Sequence, residues 1–264
     1  MTPKVFAIGA SADPLSPDAR MSVEVWAKGP SDRLAVIAHG RNGAAHAPHM
    51  LKLIKTYLKR GYIVLSPDCC ASAWNDAAGV EGDFLLGNHV RDVRRTIEWA
   101  EGHAAELGWS GGHLMLAGHS MGAYAVAHLA ATQWHGRIGH LMLVSPFTSG
   151  VRQIEARDKY HPDGIANLRR DVPAALEEWP RHDIFTVIDK LTLPIAVVAG
   201  AKDIVAPPEN VREFVERLPT PPAFLMLPEA SHCLEGGEYR AELGALLDGI
   251  DAGAGLTGPG DVSV

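Results

Sequence analysis

Gly118-His119-Ser120-Met121-Gly122 follows the apolar run His113-Leu-Met-Leu-Ala117 and precedes a helix-like stretch. Strand, sharp Gly-x-Ser-x-Gly turn, helix is the layout of a nucleophile elbow, in which the serine projects its hydroxyl into a cleft. The two glycines lack the β-carbons that would collide in so tight a backbone. The pattern argues for a serine nucleophile. In a chain with 27 glycines among 264 residues, however, a pentapeptide of this form can also arise by chance. The surrounding sequence has to decide.

Working outward, apolar runs bounded by turn residues alternate with longer helical patterns, the signature of a mostly parallel sheet covered on both faces. Strands are expected over 5–8, 22–27, 34–39, 62–67, 113–117, 140–144, 195–199 and 224–227, and helices near 46–60, 88–107, 121–134, 208–217 and 236–250. The loop joining the first two strands is too short for a crossover helix, so these two should pair antiparallel. The later elements read as β-α units. Between 144 and 195 lie about fifty residues, too many for an ordinary connection. This stretch holds Pro162, Pro173, Pro180 and many charges of both signs, and 148–181 is read as an inserted lid, with a helix over 183–191 leading into the next strand. The Gly-rich segment 251–264 is expected to be a flexible tail. The whole of 1–264 is then one domain.

A serine hydroxyl is a weak nucleophile near neutral pH and needs a base, usually a histidine oriented by a carboxylate. Loops at the carboxyl edge of a parallel sheet converge on one crevice and are the place to look. Gly200-Ala-Lys-Asp203-Ile-Val-Ala-Pro207 follows the strand at 195–199, and Pro228-Glu-Ala-Ser-His232 follows the next. Ser120, Asp203 and His232 therefore occupy equivalent strand ends in the order Ser, Asp, His.

With these three motifs the chain resembles the α/β-hydrolase superfamily over nearly its whole length, and serine esterases of the carboxylesterase type within it. The resemblance implies an eight-stranded, mostly parallel sheet with helices on both faces. It implies Ser120 as nucleophile, His232 as general base and then general acid, and Asp203 as the group that holds the imidazole in its productive tautomer. It also implies that His39-Gly40-Arg41 belongs to an oxyanion loop, the backbone N–H groups of Arg41 and Met121 facing the developing negative oxygen. The His39 ring itself is read as a brace for that loop. Gly40, His119, Trp74 and Trp179 are candidates for the border of a substrate pocket.

Two departures from the family pattern narrow the reading. Asp68-Cys-Cys-Ala-Ser-Ala-Trp74 stands where many members carry Asp-x-x-Gly-x-Gly-x-Ser, a poor match to the epoxide hydrolase and dehalogenase branch. Arg41 occupies a position that is often apolar. It points either to an anionic or polar group on the substrate or to an ion pair with an acid of the lid.

Composition sets the outer bounds. Hydrophobic content of 47%, charged content of 21% and a formal charge of -7 fit a soluble globular protein without a basic surface for nucleic acid or anionic membrane. The amino end has too short an apolar stretch for a signal peptide, so a cytoplasmic protein is expected. Cys69, Cys70 and Cys233 read as free thiols. His46-Ala-Pro-His49 is rejected as a metal pair, because proline breaks the helical arrangement and no further ligand lies nearby in sequence. No metal or cofactor is expected. The expected activity is hydrolysis of small to medium carboxylic esters through an acyl-enzyme. A thioesterase, lactonase or small-amide hydrolase, and a slow-turnover ligand-binding or signalling relative, stay open, as do the natural substrate and the oligomeric state.

Overall fold

A computed structural model describes residues 1–256. Its elements run β1 (Lys4–Ile8), β2 (Met21–Trp26), β3 (Ser31–Ala38), α1 (Pro48–Leu58), β4 (Ile63–Asp68), α2 (Leu86–Gly102), α3 (Ala104–Leu107), β5 (Trp109–His119), α4 (Met121–Ala131) and β6 (Ile138–Val144). An insertion follows, with α5 (Gly150–Tyr160), α6 (Gly164–Asp171) and α7 (Ala175–Glu178), and then β7 (Ile195–Gly200), α8 (Pro208–Arg217), β8 (Ala223–Leu227) and α9 (Arg240–Gly253).

The eight strands form one sheet in the order β1-β2-β4-β3-β5-β6-β7-β8. β1 pairs antiparallel with β2 and β2 antiparallel with β4, while every later pair is parallel. Because successive side chains on a strand point to opposite faces, a strand covered on both sides must be apolar throughout. β3 shows this. Leu34, Val36 and Ala38 enter one buried cluster, and Ala35 and Ile37 enter the other. The first cluster packs under α2, α4 and α8, the second under α1 and α9. The chain leaves β3 for β4 on one side and returns to β5 on the other, so the carboxyl ends of β3 and β5 flank a topological switch point, where a crevice opens.

Several boundaries differ from the sequence-based expectation. The helix expected over 88–107 breaks after Gly102. The one expected from 236 begins only at Arg240, because Gly236 and Tyr239 take positive φ in the preceding turn. The 183–191 stretch forms two short 3-10 turns, Ile184–Thr186 and Ile188–Lys190, in place of a helix, the first capped by Asp183 Oδ1 accepting from Phe185 N–H at 3.0 Å. The tail expected from 251 starts too early. Asp251 is buried within α9 and accepts the Tyr62 hydroxyl at 2.6 Å, and Leu256 is buried as well. The remainder of that tail, 257–264, lies outside the described residues. Among the described residues no helix is long and apolar enough to cross a membrane.

Candidate active site

β5 runs into α4 through Ser120, whose φ of 54° and ψ of -118° lie outside the regions that ordinary side chains favour. Neighbouring backbone holds it there. Ser120 N–H donates to the Val144 carbonyl at 2.9 Å, and its own carbonyl accepts from Phe147 N–H at 3.1 Å. The turn is so close to its surroundings that a β-carbon on Gly122 would strike the carbonyl oxygen of Ala38, and one on Gly118 would strike Gly122. Gly40, at the end of the neighbouring β3, likewise has space for no side chain, since a β-carbon there would sit 2.8 Å from Ser120 Cβ. The elbow is glycine on both sides of Ser120 for steric reasons.

One strand beyond β6, the loop after β7 carries Asp203, which is buried. Its Oδ1 accepts the N–H groups of Val205 and Ala206, both at 2.8 Å, leaving Oδ2 for His232 Nδ1–H at 2.9 Å. That bond puts the imidazole proton on Nδ1 and the lone pair on Nε2. Ser120 and His232 line the same cavity of about 200 Å³, together with Arg41, Asn42, Met121, Phe147, Gln153, Arg157, Trp179 and Val205. No hydrogen bond joins Ser120 to His232 in this structure. Such bonds are often long before substrate arrives.

Across the crevice, the Arg41 and Met121 N–H groups make no hydrogen bond among the described residues. Met121 is the first residue of α4, where an N–H has no intrahelical acceptor. The loop bearing Arg41 is braced by two buried imidazoles. His39 Nδ1–H donates to the Gly40 carbonyl at 2.6 Å and Nε2 accepts from Cys69 N–H at 3.0 Å, while His89 Nε2–H donates to the His39 carbonyl at 2.7 Å. Burial lowers the basicity of both rings, His89 to about 3.

The other expected pocket residues divide. Trp179 is buried and lines the cavity. Trp74 is 65% exposed and stands outside it, because its loop is tied down by Ser72 Oγ–H donating to the Gly43 carbonyl at 2.5 Å. Gly40 and His119 sit behind the elbow, not in the cavity. His119 Nε2–H donates to the His232 carbonyl at 2.8 Å, and its ring packs between those of His49 and His232 at 4.3 and 4.7 Å. Arg41 meets one acid of the expected lid segment, Asp171, and more closely one outside it, Glu81. It lies 2.9 Å from Glu81, just before α2, and 3.9 Å from Asp171 in the insertion. Phe147, Gln153, Arg157 and Val205 were not legible as cavity residues, since each reaches the site only through tertiary packing of the β6 loop, the insertion and the β7 loop.

His49, His119 and Cys233 bring donor atoms within 4.8 Å of one another. Burial, with Glu235 and Asp203 nearby, pushes the Cys233 thiol up to about 11, so a metal would first have to displace its proton. His46, the other half of the sequence pair, instead holds Glu24 at 2.7 Å.

Strand, elbow, helix and the stretch through β8 to the start of α9 fall within residues 88–241, which match the serine hydrolase family. The chain belongs to the serine hydrolase family. As a serine hydrolase it shares the α/β-hydrolase fold with several solved structures. Est1E from Butyrivibrio proteoclasticus with ferulic acid bound is 18% identical at a TM-score of 0.73, covering 94% of this chain and 99% of that one. An alpha-beta serine hydrolase homologue from Coxiella burnetii is 22% identical at 0.65, covering 93% and 97%. An esterase from Pyrococcus furiosus is 19% identical at 0.70, covering 95% and 89%. No curated protein matches the sequence.

The buried imidazoles around this serine hydrolase's site predict its acid sensitivity. Burial, with His232, His39 and Lys52 as further causes, lowers His49 to about 4, and burial lowers His119, His140 and His128 in the same direction. In the unfolded chain each ring takes up a proton near pH 6.5, and the folded protein does not, so stability falls as pH drops below 6.5. His49 and His89 alone are expected to cost about 2 kcal/mol each between pH 7 and pH 5. Urea unfolding across that range measures it, and a flat profile refutes the neutral-imidazole assignment.

Proposed function

We propose that this protein hydrolyses carboxylic esters of short acyl chain through Ser120, His232 and Asp203. His232 Nε2 takes the hydroxyl proton as Ser120 Oγ attacks the ester carbonyl. The tetrahedral oxyanion is held by the N–H groups of Arg41 and Met121, which have no other partner among the described residues to give up. Collapse of the intermediate expels the alcohol, protonated by the imidazolium, and leaves an acyl-enzyme. Water, deprotonated by the same Nε2, then releases the acid and restores Ser120. Asp203 stabilises the imidazolium throughout without itself taking a proton.

The observation that carries the reading is the orientation of His232. A buried carboxylate, itself fixed by two backbone N–H donors, holds Nδ1 at 2.9 Å on the rim of the cavity that Ser120 also lines. The cavity, about 200 Å³ beneath a helical insertion we read as a lid, suits a short chain better than a fatty acyl group. Across p-nitrophenyl acetate, butyrate, octanoate and palmitate, kcat/KM is expected to peak at butyrate or below. A fluorophosphonate label, mapped by mass, is expected on Ser120. A maximum at palmitate refutes the acyl size, and a label elsewhere refutes the nucleophile.

A further inference from the structure

The charged groups of the cavity do not balance. Two arginines line it, Arg41 and Arg157, and no aspartate or glutamate does, in a chain whose formal charge is -7. Arg41 is largely compensated behind the wall by Glu81 and Asp171, yet its Nη1 is buried and makes no hydrogen bond. Arg157, on α5 of the insertion, has no ion pair among the described residues, and its buried Nε has no acceptor. What holds the guanidinium is the face of Trp179, 5.4 Å from the ring centroid.

Two other polar side chains at this wall each have one donor engaged, while the buried Asn42 Oδ1 has no partner among the described residues. Gln153 Nε2–H donates to the Val205 carbonyl at 2.6 Å, and Asn42 Nδ2–H to Glu81 at 2.5 Å. Burial and the neighbouring Arg41 charge lower Arg157 to about 10, against a smaller opposite pull from Asp171, so it remains a cation at neutral pH. Two cations repelling each other at one wall are a costly arrangement for an empty site. A neutral acceptor would leave the repulsion in place. An anion relieves it, and a carboxylate matches the planar guanidinium donors.

We propose that the Arg157 guanidinium, with the Arg41 charge beside it, forms an anion subsite beside Ser120, and that the preferred ester carries a carboxylate at the far end of a short acyl chain. This deepens the esterase reading and rests on it for the position of the scissile bond. The carboxylate charge is met by Arg157, delivered by the insertion, while the reacting carbonyl stays with Ser120 on the sheet edge. A monoester of a short dicarboxylic acid has that shape.

The test compares kcat/KM for monomethyl glutarate with that for methyl pentanoate, its neutral counterpart, by pH-stat. The wild type, Arg157→Met and Arg157→Lys are measured, with thermal unfolding to establish that each variant folds. Charge-assisted hydrogen bonds predict a wild-type preference for the hemiester of about tenfold to a hundredfold, collapsing in Arg157→Met and partly returning in Arg157→Lys. In parallel, binding of glutarate and of inorganic phosphate to Ser120→Ala is measured by calorimetry, which needs no turnover. Glutarate is expected to bind, and to lose that binding when Arg157→Met is added. A ratio of one or less in the wild type, a ratio unchanged in a folded Arg157→Met protein, or no glutarate binding overturns the subsite. Phosphate binding tighter than glutarate overturns the assignment to a carboxylate. If neither ester is cleaved and Ser120 takes no fluorophosphonate, the esterase reading fails, and glutarate binding then decides the subsite by itself.

Discussion

Ser120→Ala is expected to lower kcat/KM on the best ester by about 10⁴- to 10⁶-fold. The change removes one oxygen and leaves the β-carbon that the strained turn already accommodates at φ 54°. Thermal stability should therefore move little while activity collapses. A residual rate above that of water is expected to survive, because the Arg41 and Met121 N–H groups still polarise a bound carbonyl. The loss should not add to that of a His232 substitution, since base and nucleophile act as one unit. Initial rates and fluorophosphonate labelling measure both points. A loss of only a few-fold would mean that another residue attacks.

Asp203→Asn is expected to cost about 10³- to 10⁴-fold in kcat, with the fold intact. The reason lies in how the carboxylate is held. Oδ1 accepts from Val205 and Ala206 N–H, so the amide oxygen of asparagine must keep that side. The NH₂ group is then forced toward His232 Nδ1. A donor facing Nδ1 makes that nitrogen the acceptor and moves the imidazole proton to Nε2, the atom that receives the serine proton in the proposed mechanism. Removing a charge is thus compounded by locking the wrong tautomer. Steady-state kinetics with thermal unfolding as control test this, and retention of more than a tenth of wild-type kcat refutes it.

The sheet was legible because its strands are buried on both faces and so appear as unbroken apolar runs, as in Leu34 to Ala38. Where burial stops, legibility stops too. β5 extends back through Ser110-Gly111-Gly112, exposed residues with no apolar signal, to Trp109. Ser120, Asp203 and His232 could be placed at strand ends because turn chemistry and position after an apolar run are local properties. Arg157 could not, since a charged residue on a short helix looks like any solvated charge until its helix is docked over the crevice. Trp74 misled for the opposite reason, as an aromatic in a loop near the site that faces solvent once the loop is fastened. Gly253 and Gly255 made the end of α9 look like tail, yet the Asp251 carboxylate just before them is drawn inward by the Tyr62 hydroxyl. A single buried hydrogen bond of that kind leaves no trace in composition.

The insertion leaves the sheet and rejoins it at nearly the same point. Ser149 and Asp183 form an antiparallel bridge, with Ile184 N–H donating to the Thr148 carbonyl at 2.9 Å and Gly150 N–H to the His182 carbonyl at 2.8 Å. A segment closed at its own stem is a cassette. Everything it lends to the cavity, Gln153, Arg157 and Trp179, concerns what fits there, while Ser120, Asp203 and His232 all belong to loops at the sheet edge. In the proposed mechanism, choice of substrate and chemistry are therefore written in separable stretches of chain. Exchange of residues 150–182 against another helical segment whose ends lie as close together is a route to new specificity that leaves the elbow and the histidine loop untouched.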